Sequence, residues 1–173
     1  MAAAVVDATE RAMRAWHVLE TVLDPEVPVV SVVDLGIVRE VVERKDGALT
    51  VVLTPTYSGC PATEVIEQGV RDALAAAGFE NVDVHLQRAP AWTTDWISAD
   101  GRRRLREYGI APPGPVVPEQ GVPIRFLRKT AALPCPRCES INTERLSAFG
   151  STACKATYRC RACGEPFEHF KAI

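Results

Sequence analysis

No apolar run in this 173-residue chain approaches the ~20 residues a membrane-spanning helix needs, so an embedded role is not expected. Met1 to Val6 are apolar for only six positions before Asp7 and carry no basic flank, which argues against a secretory signal. Also missing are a glycine-rich phosphate loop, a dinucleotide fingerprint and a paired-carboxylate iron motif. The chain does not repeat itself beyond two short cysteine pairs near its end. These absences argue against transport, nucleotide chemistry and iron-dependent oxygenation by this chain alone.

What is present reads as an ordinary globular protein, with 47% hydrophobic and 24% charged residues. Its length suits one full domain, or a modest domain joined to a small one. Charge favours the second reading. Residues 1–123 hold 11 Lys+Arg and 18 Asp+Glu, a net of −7, whereas residues 124–173 hold 9 and 4, a net of +5. The sign changes at the Pro-rich stretch Pro112, Pro113, Pro115, Pro118 and Pro123, which reads as a stiff linker. The expected organisation is therefore an α/β domain over 1–110, a linker over 111–123 and a small domain over 124–173.

Asp7 and Glu10 have the spacing of a capping box and open a helix whose face carries Ala12, Trp16, Leu19 and Leu23. Asp24-Pro25 should end it. The stretch DPEVPVVSVVDLGIV reads as a shaped loop that feeds a strand over about 37–44. Asp46-Gly47 signals a hairpin, and a second strand returns over 49–54. After TPTYSGCP a second helix presents Val65, Ile66, Gly69, Val70, Ala73, Leu74 and Ala77 as one stripe, closed by Gly78. Val82, Val84 and Leu86 alternate with polar residues as a third strand. The fold class is α+β: a small mixed three-stranded sheet in the order α-β-β-α-β. Trp92 and Trp96, four apart, would share a helix face, and Arg102-Arg103-Arg104 would sit on a solvated face of a short helix ending near Tyr108.

Five of the six cysteines lie between Cys135 and Cys163. Cys135-Pro136-Arg137-Cys138 and Cys160-Arg161-Ala162-Cys163 are two CxxC pairs 21 residues apart. A two-residue gap lets both thiolates of a pair face one ion, and two such turns complete a closed tetrahedral zinc site. The tail offers few sizeable apolar groups: Leu133, Ile141, Leu146, Phe149, Tyr158, Phe167, Phe170 and Ile173. A structural zinc site, contributing ~10–16 kcal/mol, would decide whether so small a core folds. Disulfides, a redox pair or an iron–sulfur cluster on the same thiolates are the competing readings. Four thiolates leave Cys154 over, either as a packed residue or as a spare thiol, and His169 is expected on the surface of the last strand. A basic ribbon invites nucleic acid, but four thiolates on one divalent ion offset part of the +5, and the basic residues are scattered rather than striped.

The sixth cysteine, Cys60, precedes Pro61 and so is expected at the N-cap of the second helix. There it is either a reactive or metal-holding thiol near the positive helix end, or an inert residue filling a tight turn. No second Cys or His lies near it in sequence, so any metal would be held transiently, across a homodimer or with Cys154. Asp34 either braces its loop or lines a site with Glu26 and Cys60, and Thr54 and Thr56 are open in the same way. A cysteine hydrolase using His17 or His85 has nothing to place either base beside Cys60.

DPEVPVVSVVDLGIV followed by TPTYSGCPATEVI resembles the iron–sulfur assembly domain of the SufT type, whose signature is a single cysteine before a helix, here Cys60. Extended by WTTDWIS, GRRRLREYGIAPP, CPRC and FGSTACKATYRCRACGEPFEHFKAI, the resemblance is to the PaaD (also called PaaJ) family of phenylacetate degradation, from about residue 10 onward. It implies a cytoplasmic subunit or metal-centre maturation factor of the multicomponent phenylacetyl-CoA epoxidase, a di-iron oxygenase with an iron–sulfur flavin reductase. It also implies Cys135, Cys138, Cys160 and Cys163 as zinc ligands, with iron or a cluster held transiently at Cys60. The implied partners are the oxygenase and reductase subunits or other iron–sulfur assembly proteins. Glu139 stands where many zinc knuckles place glycine.

Overall fold

The computed structural model describes residues 2–57, 59–114 and 133–173, with side chains from Glu10 onward. They form two compact units, Met1–Trp92 with Trp96–Gly101, and Thr93–Asp95 with Arg102–Ile173. Of the expected linker prolines, Pro115, Pro118 and Pro123 lie outside the described residues, as do Ser58 and 124–132 of the tail. Among the described residues no helix is long and apolar enough to cross a membrane.

In the first unit, helix α1 spans Ala2–Leu19. It starts before Asp7, whose side chain is outside the described residues, and stops short of Asp24. Its exit tightens into i→i+3 bonds, from Thr21 N–H to Val18 O (3.0 Å) and Val22 N–H to Leu19 O (3.1 Å). Ala15 and Leu19 are buried, with Ala12 and Trp16 half-buried beside them. Leu23, expected on this face, falls beyond the helix and is 47% exposed.

The loop that follows is built from two side-chain-capped turns. Buried Asp24 accepts the N–H groups of Glu26 (2.9 Å) and Val27 (2.8 Å) on one carboxylate oxygen. Ser31 and Asp34 then cap each other: Asp34 accepts the Ser31 N–H (3.1 Å) and its own N–H donates to Ser31 Oγ (2.9 Å). Backbone groups that no strand or helix pairs are thereby satisfied, which lets an irregular segment pack Val27, Val30, Val32 and Leu35 inward.

Strands β1 (Val38–Glu43) and β2 (Leu49–Leu53) pair antiparallel across the Asp46-Gly47 turn, where Gly47 is left-handed. Helix α2 (Ala62–Ala76) carries the chain over to β3 (Val82–Leu86), parallel to β2, and the sheet order is β1-β2-β3. Leu49, Val51 and Leu53 of the central strand are buried, as are Ile66, Val70 and Leu74 of α2. Burial on α2 follows a strict four-residue step, Ala62, Ile66, Val70, Leu74. Val65, one position off that row, is therefore 58% exposed, contrary to the expected wider stripe. Gly78 ends the helix in a Schellman motif, with Phe79 N–H bonding Leu74 O (2.9 Å) and Gly78 N–H bonding Ala75 O (3.0 Å). Leu86, at the end of an edge strand, is 40% exposed rather than inward.

Trp92 and Trp96 do not share a helix: Trp92 lies in coil and Trp96 ends a single 3-10 turn, Thr94–Trp96. Helix α3 spans Ala99–Tyr108. In the second unit, β4 (Ile110–Ala111) precedes three further strands. These are β5 (Thr143–Ser147), β6 (Lys155–Cys160) and β7 (Pro166–Phe170), which form an antiparallel meander. Strand β4 adds parallel to β7, giving the order β4-β7-β6-β5. Residues 110–111, expected at the junction of first domain and linker, thus pair with the ribbon's last strand. Arg102 is half-buried rather than solvated, and donates to Pro113 O (2.7 Å) and Thr94 O (2.7 Å).

Candidate functional site

The two CxxC pairs fold into matching knuckles. In the first, Cys135 N–H bonds Ser140 O (3.0 Å) and Glu139 N–H returns to Cys135 O (2.9 Å). In the second, Cys160 N–H bonds Glu165 O (2.8 Å) and Gly164 N–H returns to Cys160 O (2.9 Å). Each turn requires a left-handed residue after its second cysteine: Gly164 at φ +80° in one, Glu139 at φ +61° in the other. A non-glycine residue there costs roughly 1–2 kcal/mol. Arg161 N–H to Asn142 O (2.8 Å) and Thr143 Oγ1–H to Leu133 O (2.8 Å) tie the knuckles to the sheet.

Four sulfurs converge as a result. Cys135 Sγ lies 3.9 Å from Cys163 Sγ, Cys138 Sγ lies 3.6 Å from Cys160 Sγ, and all four are within 4.8 Å of one another. Four ligands at ~2.3 Å from a tetrahedral ion stand ~3.8 Å apart, so the donor set fits a four-thiolate metal site. Backbone N–H groups of Cys163 and then Ala162 bring the Cys160 thiol down to about 7, against the opposing effect of burial. At Cys138 the Ser140 N–H acts in the same direction, but the neighbouring thiols and burial dominate and push it up to about 12. A cation among the sulfurs removes that conflict by holding all four as thiolates.

Under the knuckles, Ala111, Cys135, Cys160 and Phe167 form a small core with Leu133 and Tyr158 against it. Ile141, Leu146 and Phe149, expected to contribute, are 56–67% exposed. The ribbon instead buries an ion pair: Lys155 Nζ stands 3.0 Å from Glu168 Oε2, and Glu168 also accepts from Ser151. His169 is half-buried rather than on the surface, because β4 flanks its strand. Its Nδ1 bonds Ala111 O (3.2 Å), its ring meets Tyr158 edge-on, and burial lowers its pKa. Cys154 is buried, with its sulfur 3.0 Å from Thr152 Oγ1.

Cys60 is half-buried and immediately precedes Pro61 at the start of α2. Pro61 already has helical geometry (φ −66°, ψ −22°) and Cys60 O accepts Thr63 N–H (3.1 Å), as expected of a cysteine that opens the helix. The Cys60 N–H donates to Tyr57 O (3.3 Å), and Gly59 beside it is exposed and left-handed at φ +85°. The thiol is thus carried on a tight turn between β2 and α2. Asp34 has Ser31 N–H on one carboxylate oxygen and Ser98 Oγ–H (3.0 Å) on the other, so it braces its loop. Glu26 sits in the Asp24 turn and Thr56 is half-buried ahead of Cys60. Among the described residues, the four ribbon cysteines are the one group of three or more potential ligands, so Cys60, Asp34 and Glu26 do not form a second. Thr54, at the head of the Cys60 loop, is 1% exposed, and its hydroxyl has no partner among the described residues.

The reciprocal pair Ser31/Asp34 carries a local signal, the capping spacing S-x-x-D, that was missing from the expectations. Trp92, Ser98 and the Lys155–Glu168 pair had no local signal, since each meets its partner across 13 or more residues.

The chain therefore joins an α+β domain carrying one half-buried cysteine to a four-thiolate ribbon, and known proteins combine these parts. Residues 12–86 match the family described as iron-sulfur cluster assembly protein, and residues 120–171 match the PaaD zinc beta ribbon domain. An Escherichia coli (strain K12) protein, named provisionally as a component of 1,2-phenylacetyl-CoA epoxidase, is 49% identical over 158 residues, 91% of each chain. The chain belongs to this PaaD family. A Porphyromonas gingivalis Fe-S protein maturation auxiliary factor is 37% identical over 90 residues, 51% of this chain and 85% of its own. The fold of the first domain is that of a Bacillus anthracis domain of unknown function, DUF59, whose crystal structure aligns with a TM-score of 0.55 at 24% identity, covering 58% of this chain and 96% of that one.

Proposed function

We propose that this protein is a non-catalytic accessory factor of a 1,2-phenylacetyl-CoA epoxidase, acting in the maturation of its iron–sulfur or di-iron centres. Cys60 is the residue that takes iron or a cluster as cargo. The observation that carries this reading is the half-buried cysteine on the β2–α2 turn, inside the segment matched to iron–sulfur assembly proteins. Thiolate exchange suits the task, since a metal passes one ligand at a time and is never free. One sulfur does not hold a cluster alone, so a second copy of the chain supplies further ligands until the client takes the metal over. The ribbon holds zinc as structure: four thiolates close the coordination sphere and leave no open position for chemistry. Asp34, Glu26 and Thr56 shape the loops around the cargo thiol, and Cys154 packs the ribbon.

Cys60→Ser tests the cargo role. Co-expressed with the epoxidase reductase and oxygenase subunits, the variant is expected to fold and keep its ribbon metal, while the client proteins lose iron or acid-labile sulfide. Clients loaded to the wild-type level overturn the reading.

A second reading is a stable, non-catalytic subunit that docks through its ribbon. It is favoured by the extent of the Escherichia coli relative, an epoxidase component by name, which aligns over 91% of the chain and so includes the ribbon. Exposed Ile141, Leu146 and Phe149 favour it too. Stoichiometric co-purification with the oxygenase supports it, and its absence favours the transient factor.

A further inference from the structure

We propose that Trp92 and the segment Trp96–Gly101 form a positioning strap for the Cys60 loop, acting through the turn Asp34–Ile37. The strap lies beyond residues 12–86, the part matched to iron–sulfur assembly proteins. Buried Trp92, 3% exposed, donates its indole N–H to Leu35 O (2.9 Å). Ser98 is the hub. Its hydroxyl donates to Asp34 Oδ1 (3.0 Å) and accepts Gly101 N–H (2.8 Å), while its N–H donates to Asp34 O (2.8 Å).

Strap and turn meet with no slack. A Cβ added to Gly36, itself left-handed at φ +67°, would stand 2.7 Å from Trp96 Cβ and Trp96 O. One added to Gly101 would stand 3.0 Å from Asp34 O. The Arg39 guanidinium lies 3.5 Å over the Trp96 ring and closes the outer side.

The far end of the turn reaches the cysteine loop. Ile37 O accepts the N–H of Thr54 (2.8 Å), the residue from which the chain leaves β2 toward Cys60. A displacement of Asp34–Ile37 therefore shifts the backbone that launches the thiol. Trp92 and Ser98 are positioning residues: they act on the backbone that launches the thiol through the Asp34–Ile37 turn and its Ile37 O to Thr54 N–H bond. The importance of the strap rests on Cys60 being the working thiol, but its existence does not.

The test is the rate of Cys60 alkylation by iodoacetamide on the full, metal-loaded chain, read by mass spectrometry of the Cys60 peptide. Ser98→Ala is expected to raise the rate roughly threefold, about the weight of one hydrogen bond, and Trp92→Phe, which keeps an aromatic ring and loses the N–H, to act in the same direction. Ser98→Thr, which keeps the hydroxyl, restores the wild-type rate. Leu74→Ala, a core change remote from the strap, lowers stability and leaves the rate unchanged. Wild-type rates in Ser98→Ala and Trp92→Phe overturn the strap, as does an equal rise in Leu74→Ala. A rise in Ser98→Ala alongside fully loaded clients in Cys60→Ser would keep the strap and discard the cargo role.

Discussion

The two units hold their cysteines by opposite means. In the ribbon, four sulfurs come together because two short turns repeat one backbone pattern, and the core beneath them is small. In the first unit, a single sulfur rides on a sheet-and-helix core of aliphatic side chains, and the strand end that launches its loop bonds Ile37 O. In the proposed account, the first of these regions uses metal as structure. The other buries an aliphatic core without any metal-ligand cluster among the described residues, and the same account gives its thiol to cargo.

Chelation tests that contrast most severely. Stripping the ribbon metal should abolish amide-exchange protection over residues 133–173, consistent with the ~10–16 kcal/mol a structural zinc site contributes, while β2 and α2 remain protected. Protection of the ribbon that survives metal removal would break the comparison. The reverse experiment is Leu74→Ala, expected to cost the first unit about 2–5 kcal/mol in denaturant melts and leave ribbon metal content unchanged.

Smaller effects sharpen the picture inside the ribbon. Glu168→Ala leaves the buried Lys155 ammonium without its carboxylate and should destabilise the unit by roughly 3 kcal/mol in thermal or denaturant melts. Beside the protonation of the thiolates, which releases the metal, two groups add acid dependence to the same unit. His169, with its pKa lowered by burial, binds its proton more readily when unfolded, so stability is complete above about pH 6.5 and falls as pH drops through that value. Burial opposes the lowering of the Glu168 pKa, but the Ser151 N–H and Lys155 outweigh it, so its contribution is present above about pH 4.5 and lost below. Melting curves at stepped pH should show the lower step vanish in Glu168→Ala. Glu139→Gly, relieving the left-handed backbone, should slow metal release to a chelator by an amount worth about 1 kcal/mol. Thr54→Val, removing the buried unpartnered hydroxyl, should be neutral or stabilising by about 1 kcal/mol in melts of the first unit.

The ribbon site was legible because its information is local: CxxC twice fixes ligand number and geometry before any packing is known. The α-β-β-α-β order was legible for a related reason, since periodicity, Asp46-Gly47 and Gly78 each mark an element from its own residues. What escaped is long-range. Nothing near Trp92 announces that its N–H meets Leu35 O, and nothing near Ile110 announces a partner in Glu168. The start of α2 was legible because proline suits a first helical position, and the helical geometry of Pro61 with the Cys60 O to Thr63 N–H bond agrees with it.

The central claim, that one cysteine carries cargo while four carry structure, is tested most directly by metal and acid-labile sulfide analysis of the chain purified without oxygen. The account predicts one zinc per chain in both wild type and Cys60→Ser, with iron bound to the wild type and missing from the variant. Zinc alone in both proteins, or equal iron in both, would contradict it.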